Sequence, residues 1–310
     1  KNSAIKQRME ENTEWYKIVD EIETTDMLTG KSTSVAVTSL QLFNEDGKVN
    51  DVVILPPYPE YCGSVDTIPS LFLWFPLLGT ESFGVNFIFH SKRWYPVEKR
   101  NNIMLPENVH SKREKGAHNE EILHEMMATL HRYYAYEGNA DSLNRDMCIV
   151  NFNSDKEDEV TTKFYTDLQN MWNAVVPSWK VIPTEEGKKA MNDARVRVLH
   201  PDFYSKLTEE KRSQYELTLA EYAKNVKYNE KECYLLPTSN LIAWSEVVHL
   251  WRCDHDCEFY VTVKDVCESV QKKSDKLHCF LSFLIDSDNT SLMDDYELLP
   301  NRKGNLKRKG

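Results

Sequence analysis

Residues 33–57 read TSVAVTSLQLFNEDGKVNDVVILPP. Two runs rich in β-branched and apolar residues flank Asn44-Glu45-Asp46-Gly47, whose side chains favour a reversal of the chain. A β-hairpin is therefore predicted, and an antiparallel sheet around it. Before it, EWYKIVDEI (14–22) reads as a strand, although its apolar spacing also admits a short helix. After it, SLFLWFPLL (70–78) and GVNFIFH (84–90) supply two further strands. In NEEILHEMMATLHRYYAYE (119–137), Ile122, Met126, Leu130 and Tyr133 fall on one helical face. Such a helix would cover the sheet, so residues 1–152 read as an α/β layer of the α+β class.

The polar run NSDKEDEV (153–160) is the predicted linker. Beyond it, residues 153–310 read as a helix-rich mixed α/β domain that continues past the last residue. Helices are predicted over TTKFYTDLQNMWNAVV (161–176), LTEEKRSQYELTLAEYAKNV (207–226) and TVKDVCESVQKK (262–273). Thr208 before Glu209 and Glu210, and Thr262 before Asp265, place capping hydroxyls and helix-favouring acids at two helix starts. Three segments, KVIPTEEG, CYLLPTSN and ELLPNRKG, each run from a short strand into a proline turn. Their spacing is unequal, which argues against a regular repeat.

Composition limits the function classes. The chain has 310 residues and a formal net charge of −11, so a nucleic-acid partner is not expected. Its longest apolar run, LFLWFPLL, falls far short of the ~20 residues of a membrane span. Seven irregularly spaced cysteines suggest reduced thiols and a cytoplasmic protein. The opening on Lys1 and the basic close suggest a piece of a longer polypeptide.

Several familiar chemistries are missing. LHEMMATLH has Ala128 where a zinc peptidase needs its second histidine, so it reads as an amphipathic helix. Cys253, His255 and Cys257 crowd CDHDC, but no second ligand pair completes a tetrahedron, and no metal is expected there. Neither a P-loop, nor a GxGxxG turn, nor a GxSxG elbow occurs. Against this background Lys92, Arg93, Lys99 and Arg100 stand out, four cations within nine residues directly after a predicted strand.

The order Trp15, SVAVTSL, then LFLWFPLLGTESFGVNFIFHSKRWYPVEKRNNIML resembles the segment after the nucleotide-binding domain in sacsin-like proteins. These are relatives of the ninety-kilodalton heat-shock chaperones in the GHKL ATPase superfamily. The resemblance rests on Phe75-Pro76-Leu77, Gly79-Thr80-Glu81, Val85-Asn86-Phe87 and Arg100 before Ile103, and on the late LLPNRKGNLK turn. Residues 90–95 are additional before the arginine.

The resemblance implies a middle, or transducer, region. It implies ATP and magnesium held by an upstream domain of the same chain, and no cofactor site in these residues. A basic residue would meet the terminal phosphate, with Arg100 the leading candidate and Lys99, Arg93 and Lys92 the alternates. On this reading the chain alone is inactive, while its parent is an ATPase acting on an unidentified protein client. The alternatives are that all four cations are solvated loop residues, and that the chain is an interaction scaffold without nucleotide coupling. PPYPEYC (56–62) would suit a scaffold's partner-binding loop.

Overall fold

The computed structural model describes residues 15–25, 32–43, 48–55, 68–81, 83–106, 110–135, 139–152, 159–251, 259–270 and 277–309. It is an α+β protein with an N-terminal, mainly antiparallel sheet followed by helices. The chain divides into two compact units, Lys1–Asn139 with Asp146–Val175, and Ala140–Arg145 with Val176–Gly310.

The first unit is built on strands β1 (Trp15–Thr25), β2 (Ser32–Phe43), β3 (Val49–Leu55), β4 (Leu71–Phe72) and β5 (Ile88–Ser91). Their order in the sheet is β1-β2-β3-β5-β4. All neighbours are antiparallel except β4 and β5. The predicted β2–β3 hairpin is present, with Leu42 opposite Asp51 and Phe43 opposite Val49 across a register shift. The tip of that hairpin lies outside the described residues, as do 56–62.

Two predicted strands are shorter than their apolar runs. Beyond Phe72 the chain folds back, with the Leu77 N–H donating to the Leu71 carbonyl at 3.0 Å. The turn through residues 73–75, in which the Leu73 N–H donates to the Phe75 carbonyl at 3.1 Å, ends the strand and brings Pro76 back to bridge Phe72. GVNFIFH enters the sheet only at Ile88, because Gly84 pairs instead with Asn151, whose N–H donates to its carbonyl at 3.0 Å.

Helix α1 (His110–Ala135) begins well before its predicted start. Residues 110–118 carry no apolar stripe, so hydrophobic periodicity could not reveal them. Ile122, Met126, Leu130 and Tyr133 are all buried, together with Leu123 and Met127. Helix α2 (Glu159–Val175) completes the layer. The Phe87 ring meets Tyr134 of α1 at 6.3 Å and Trp172 of α2 at 5.9 Å. These contacts hold α2 within the first unit, past the charged run 153–158, which itself lies outside the described residues.

The second unit carries the hairpin β6 (Ile182–Thr184) and β7 (Gly187–Lys189), then β8 (Val198–Leu199). Helices α3 (Glu209–Ala223) and α4 (Leu241–Leu250) follow. After β9 (Tyr260–Val261), which pairs in parallel with β8, come α5 (Val263–Ser269), α6 (Leu277–Asp286) and α7 (Leu292–Asp295). A last hairpin joins β10 (Leu299–Pro300) to β11 (Leu306–Lys307). Both predicted caps are formed. The Thr208 side chain accepts from Lys211, and Thr262 makes a full capping box with Asp265. A shared core of Phe203, Leu219, Phe280 and Phe283 binds the helices together. No helix among the described residues is long and apolar enough to cross a membrane.

Candidate functional site

The cation-rich segment forms a narrow hairpin. Pro96 bridges Ile103, the Met104 N–H donates to the Tyr95 carbonyl at 2.8 Å, and the Val97 N–H donates to the Asn102 carbonyl at 3.0 Å. The Arg100 N–H donates to the Val97 carbonyl at 2.8 Å, closing a tight turn over Glu98 and Lys99. Ile103 and Trp94 bury their side chains beneath it. Glu98, Lys99, Arg100 and Asn101 are exposed at the tip.

Two neighbours hold this hairpin in place. From α1, Asn119 is completely buried. Its amide donates to the carbonyls of Tyr95 (2.9 Å) and Met104 (2.8 Å), while its oxygen accepts from the Tyr95 N–H at 2.9 Å. One side chain thus stitches both legs together at their base. Gly116, nearly one helical turn earlier, has no side chain because the Leu105–Pro106 backbone occupies the space a Cβ would need.

The second neighbour is the Gly79-Thr80 turn. Thr80 is buried; its hydroxyl donates to the Leu77 carbonyl at 2.8 Å and accepts from the Leu71 N–H at 3.1 Å. This fixes Gly79 at φ 110°, where a Cβ would come within 2.9 Å of the Asn101 carbonyl. The Gly-Thr turn and the cationic tip therefore meet backbone to backbone.

The four cations have different surroundings. Arg93 reaches Asp51 on β3, pairing with both carboxylate oxygens, and Glu125 on α1 at 2.8 Å. Burial opposes the charge of Arg93, but the bonds to Asp51 and Glu125 outweigh it and raise its pKa. Asp51 is 2% exposed, so Arg93 neutralises a buried carboxylate. Lys92 lies over the Trp74 ring at 4.8 Å, and the Arg100 guanidinium over Phe75 at 5.4 Å. Neither Lys99 nor Arg100 has a carboxylate partner among the described residues.

Arg100 also has φ 53°, the left-handed region that a residue with a Cβ seldom adopts. Relative to glycine this costs on the order of 1 kcal/mol. Asn119, Gly116 and the unusual backbone of Arg100 were not singled out from the sequence. Only a glycine within a helical pattern could have pointed to the close approach at Gly116. Asn86, part of the quoted resemblance, donates to the Ile149 carbonyl at 3.3 Å and so has a structural bond.

Elsewhere the described residues offer little nucleophilic chemistry. Burial and the nearby Glu268 push the Cys267 thiol up to about 12. Cys148, Cys233 and Cys279 are not disulfide-bonded, while Cys253, His255 and Cys257 lie outside the described residues. Among the described residues no cluster of three metal-ligating side chains is found. Comparison with family models, curated proteins and solved structures found no match to this chain.

Proposed function

We propose that the chain is the transducer region of a GHKL-type ATP-binding protein, a chaperone-like or conformational-switch protein of the cytoplasm. An upstream domain of the same polypeptide would hold ATP and magnesium, and the 95–104 hairpin would present Arg100 to the terminal phosphate. One observation carries the reading: an exposed arginine without a carboxylate partner, held in a left-handed backbone on a hairpin braced from two sides. Strain of this kind persists where the surroundings over-determine it, and it gathers at functional positions.

A phosphate fits this tip chemically. A guanidinium stays charged and can grip two phosphate oxygens at once, and its present neighbour, Phe75, competes only weakly for it. Bound ATP would supply the phosphoanhydride. The chain's own part is to place a cation that binds the triphosphate state more strongly than the diphosphate state, which couples nucleotide to domain position. Lys99 can add charge beside Arg100, and Lys92 extends the cationic edge. Arg93 is already committed to Asp51 and Glu125.

Steady-state ATP hydrolysis tests this. The polypeptide that joins this chain to its upstream domain should turn over ATP, while the chain alone should not. Turnover by the chain alone, or undiminished turnover by the upstream domain without it, contradicts the proposal.

A second reading has its own observation. Trp74 is 70% exposed and Leu78 64% exposed, both beside the cationic hairpin. Exposed apolar side chains of this size suit a protein-binding face, as an interaction scaffold would require.

A further inference from the structure

The second unit contains an open groove of about 850 Å³. Its walls come from the β6–β7 turn, the C-terminal half of α3, and the segment 232–238. Leu217, Ala220, Leu236 and Pro237 give it an apolar lining. Leu217 is 76% exposed, although the rest of α3 contributes Tyr215, Leu219 and Tyr222 to the core. Leu217 thus places an aliphatic surface at the mouth of the groove, continuous with Ala220 and Leu236.

The charges around this lining are unbalanced. Glu185, Glu186, Glu221 and Glu232 stand against Arg195 and Lys224. Glu186 already pairs with Arg195 at 2.7 Å and with Lys189 at 3.3 Å. Glu185 and Glu232 have no ion-pair partner among the described residues, and the Glu232 carboxylate accepts only from the Asn229 side-chain amide at 3.0 Å. The backbone adds a further feature. Segment 232–238 bridges Val196 through Leu235 and Lys227 through Cys233. Leu236, by contrast, has no hydrogen-bond partner for its N–H or carbonyl among the described residues. An extended main chain can satisfy such groups while its alternate side chains enter the groove.

We propose that this groove binds an extended basic peptide segment, with an aliphatic side chain against Leu217 and Leu236 and flanking lysines or arginines facing Glu185 and Glu232. Charge complementarity selects the basic partner, and the apolar lining supplies the affinity. The proposal does not depend on the cationic hairpin or on nucleotide coupling.

Fluorescence anisotropy with the full chain tests it, using a labelled peptide about eight residues long that alternates lysine with leucine or valine. A second peptide with glutamate in place of lysine is the control. The basic peptide should bind saturably and weaken as salt rises, while the acidic one should not bind. Leu217→Arg should weaken binding at least about tenfold, because it removes an aliphatic contact and adds a like charge. Since Leu217 is exposed, that variant keeps its fold, and circular dichroism checks this. The double variant Glu185→Lys/Glu232→Lys should weaken the basic peptide and begin to admit the acidic one.

No saturable binding overturns the proposal. So does equal affinity for both peptides, or an unchanged affinity in Leu217→Arg. A dimer of the unmodified chain that Leu217→Arg disperses would assign the groove to a second copy instead, and would equally overturn it.

Discussion

Arg100 and Arg93 lie seven positions apart and do opposite work. Arg100 adopts φ 53° at the tip of its hairpin, so substitutions there separate backbone strain from side-chain function. Arg100→Gly and Arg100→Ala both remove the guanidinium, yet only glycine relaxes the left-handed backbone. The glycine variant should therefore be the more stable of the two, by about 1 kcal/mol in urea denaturation. Equal stabilities would mean that the backbone there is not strained. Arg93→Met should behave differently. It leaves the Asp51 carboxylate buried beneath α1 without its cation, at a cost of about 3–5 kcal/mol. Adding Asp51→Asn should recover part of that loss, which equilibrium denaturation of the single and double variants will show. The resemblance ranked Arg100 above Arg93, but the sequence did not show that Arg93 is already partnered, because Asp51 and Glu125 are remote in the chain and meet it only in the folded state. Four adjacent cations were legible; which of them was already partnered was not.

At the scale of elements, α1 both covers the sheet and locks the hairpin through Asn119. Asn119→Ala removes three hydrogen bonds and leaves the Tyr95 N–H and the Met104 carbonyl to find other partners, while the Tyr95 carbonyl keeps its bond from the Met104 N–H. A loss of about 2–4 kcal/mol is expected. Hydrogen exchange should be faster at the Met104 and Val97 amides than at β3. Unchanged exchange at those amides would contradict the role given to Asn119.

The β5 strand makes a pH-dependent contribution through His90. Burial, then Lys92, lowers the His90 pKa, and Asp51 partly opposes this. A depressed histidine pKa means that the unfolded chain takes up a proton more readily. Stability from His90 is therefore complete above about pH 6.5 and declines as pH falls below it. His90→Gln should reduce the acid sensitivity of the unfolding midpoint between pH 7.5 and 5.5, conditions chosen around the ordinary histidine value of about 6.5. Parallel pH curves for the two proteins would remove His90 from the account.

Elements with a clean signal were readable in advance. The β2–β3 hairpin has alternation and a turn, and α3 and α5 have capping hydroxyls. Helix α4 did not announce itself, since LIAWSEVVHL is too apolar to show a single face; α6 does carry one, Phe280, Phe283 and Leu284, but in a run of only ten residues. The short β4 was overestimated because an apolar run does not show where the chain folds back on itself, here at residues 73–75.

For the whole molecule, an antiparallel sheet with covering helices and a helix-rich continuation was legible, because patterning alone constrains class and layer order. The groove beside Leu217 was not, since its walls are drawn from segments far apart in sequence and are joined by tertiary packing. The cationic hairpin was half legible. Its charges stood in one stretch, but its bracing by Asn119 and Gly79 depended on the fold. On the proposed function, Arg100 at that braced tip meets the terminal phosphate of ATP. ATP turnover by the polypeptide joining this chain to its nucleotide domain, measured with and without Arg100→Ala, tests it most directly. A guanidinium that touches phosphate only in the closed, reacting state should affect kcat far more than KM. Arg100→Ala should lower kcat by an amount worth about 2–4 kcal/mol and leave KM nearly unchanged. An unaltered kcat in Arg100→Ala would contradict it and return Arg100 to the solvent-exposed surface.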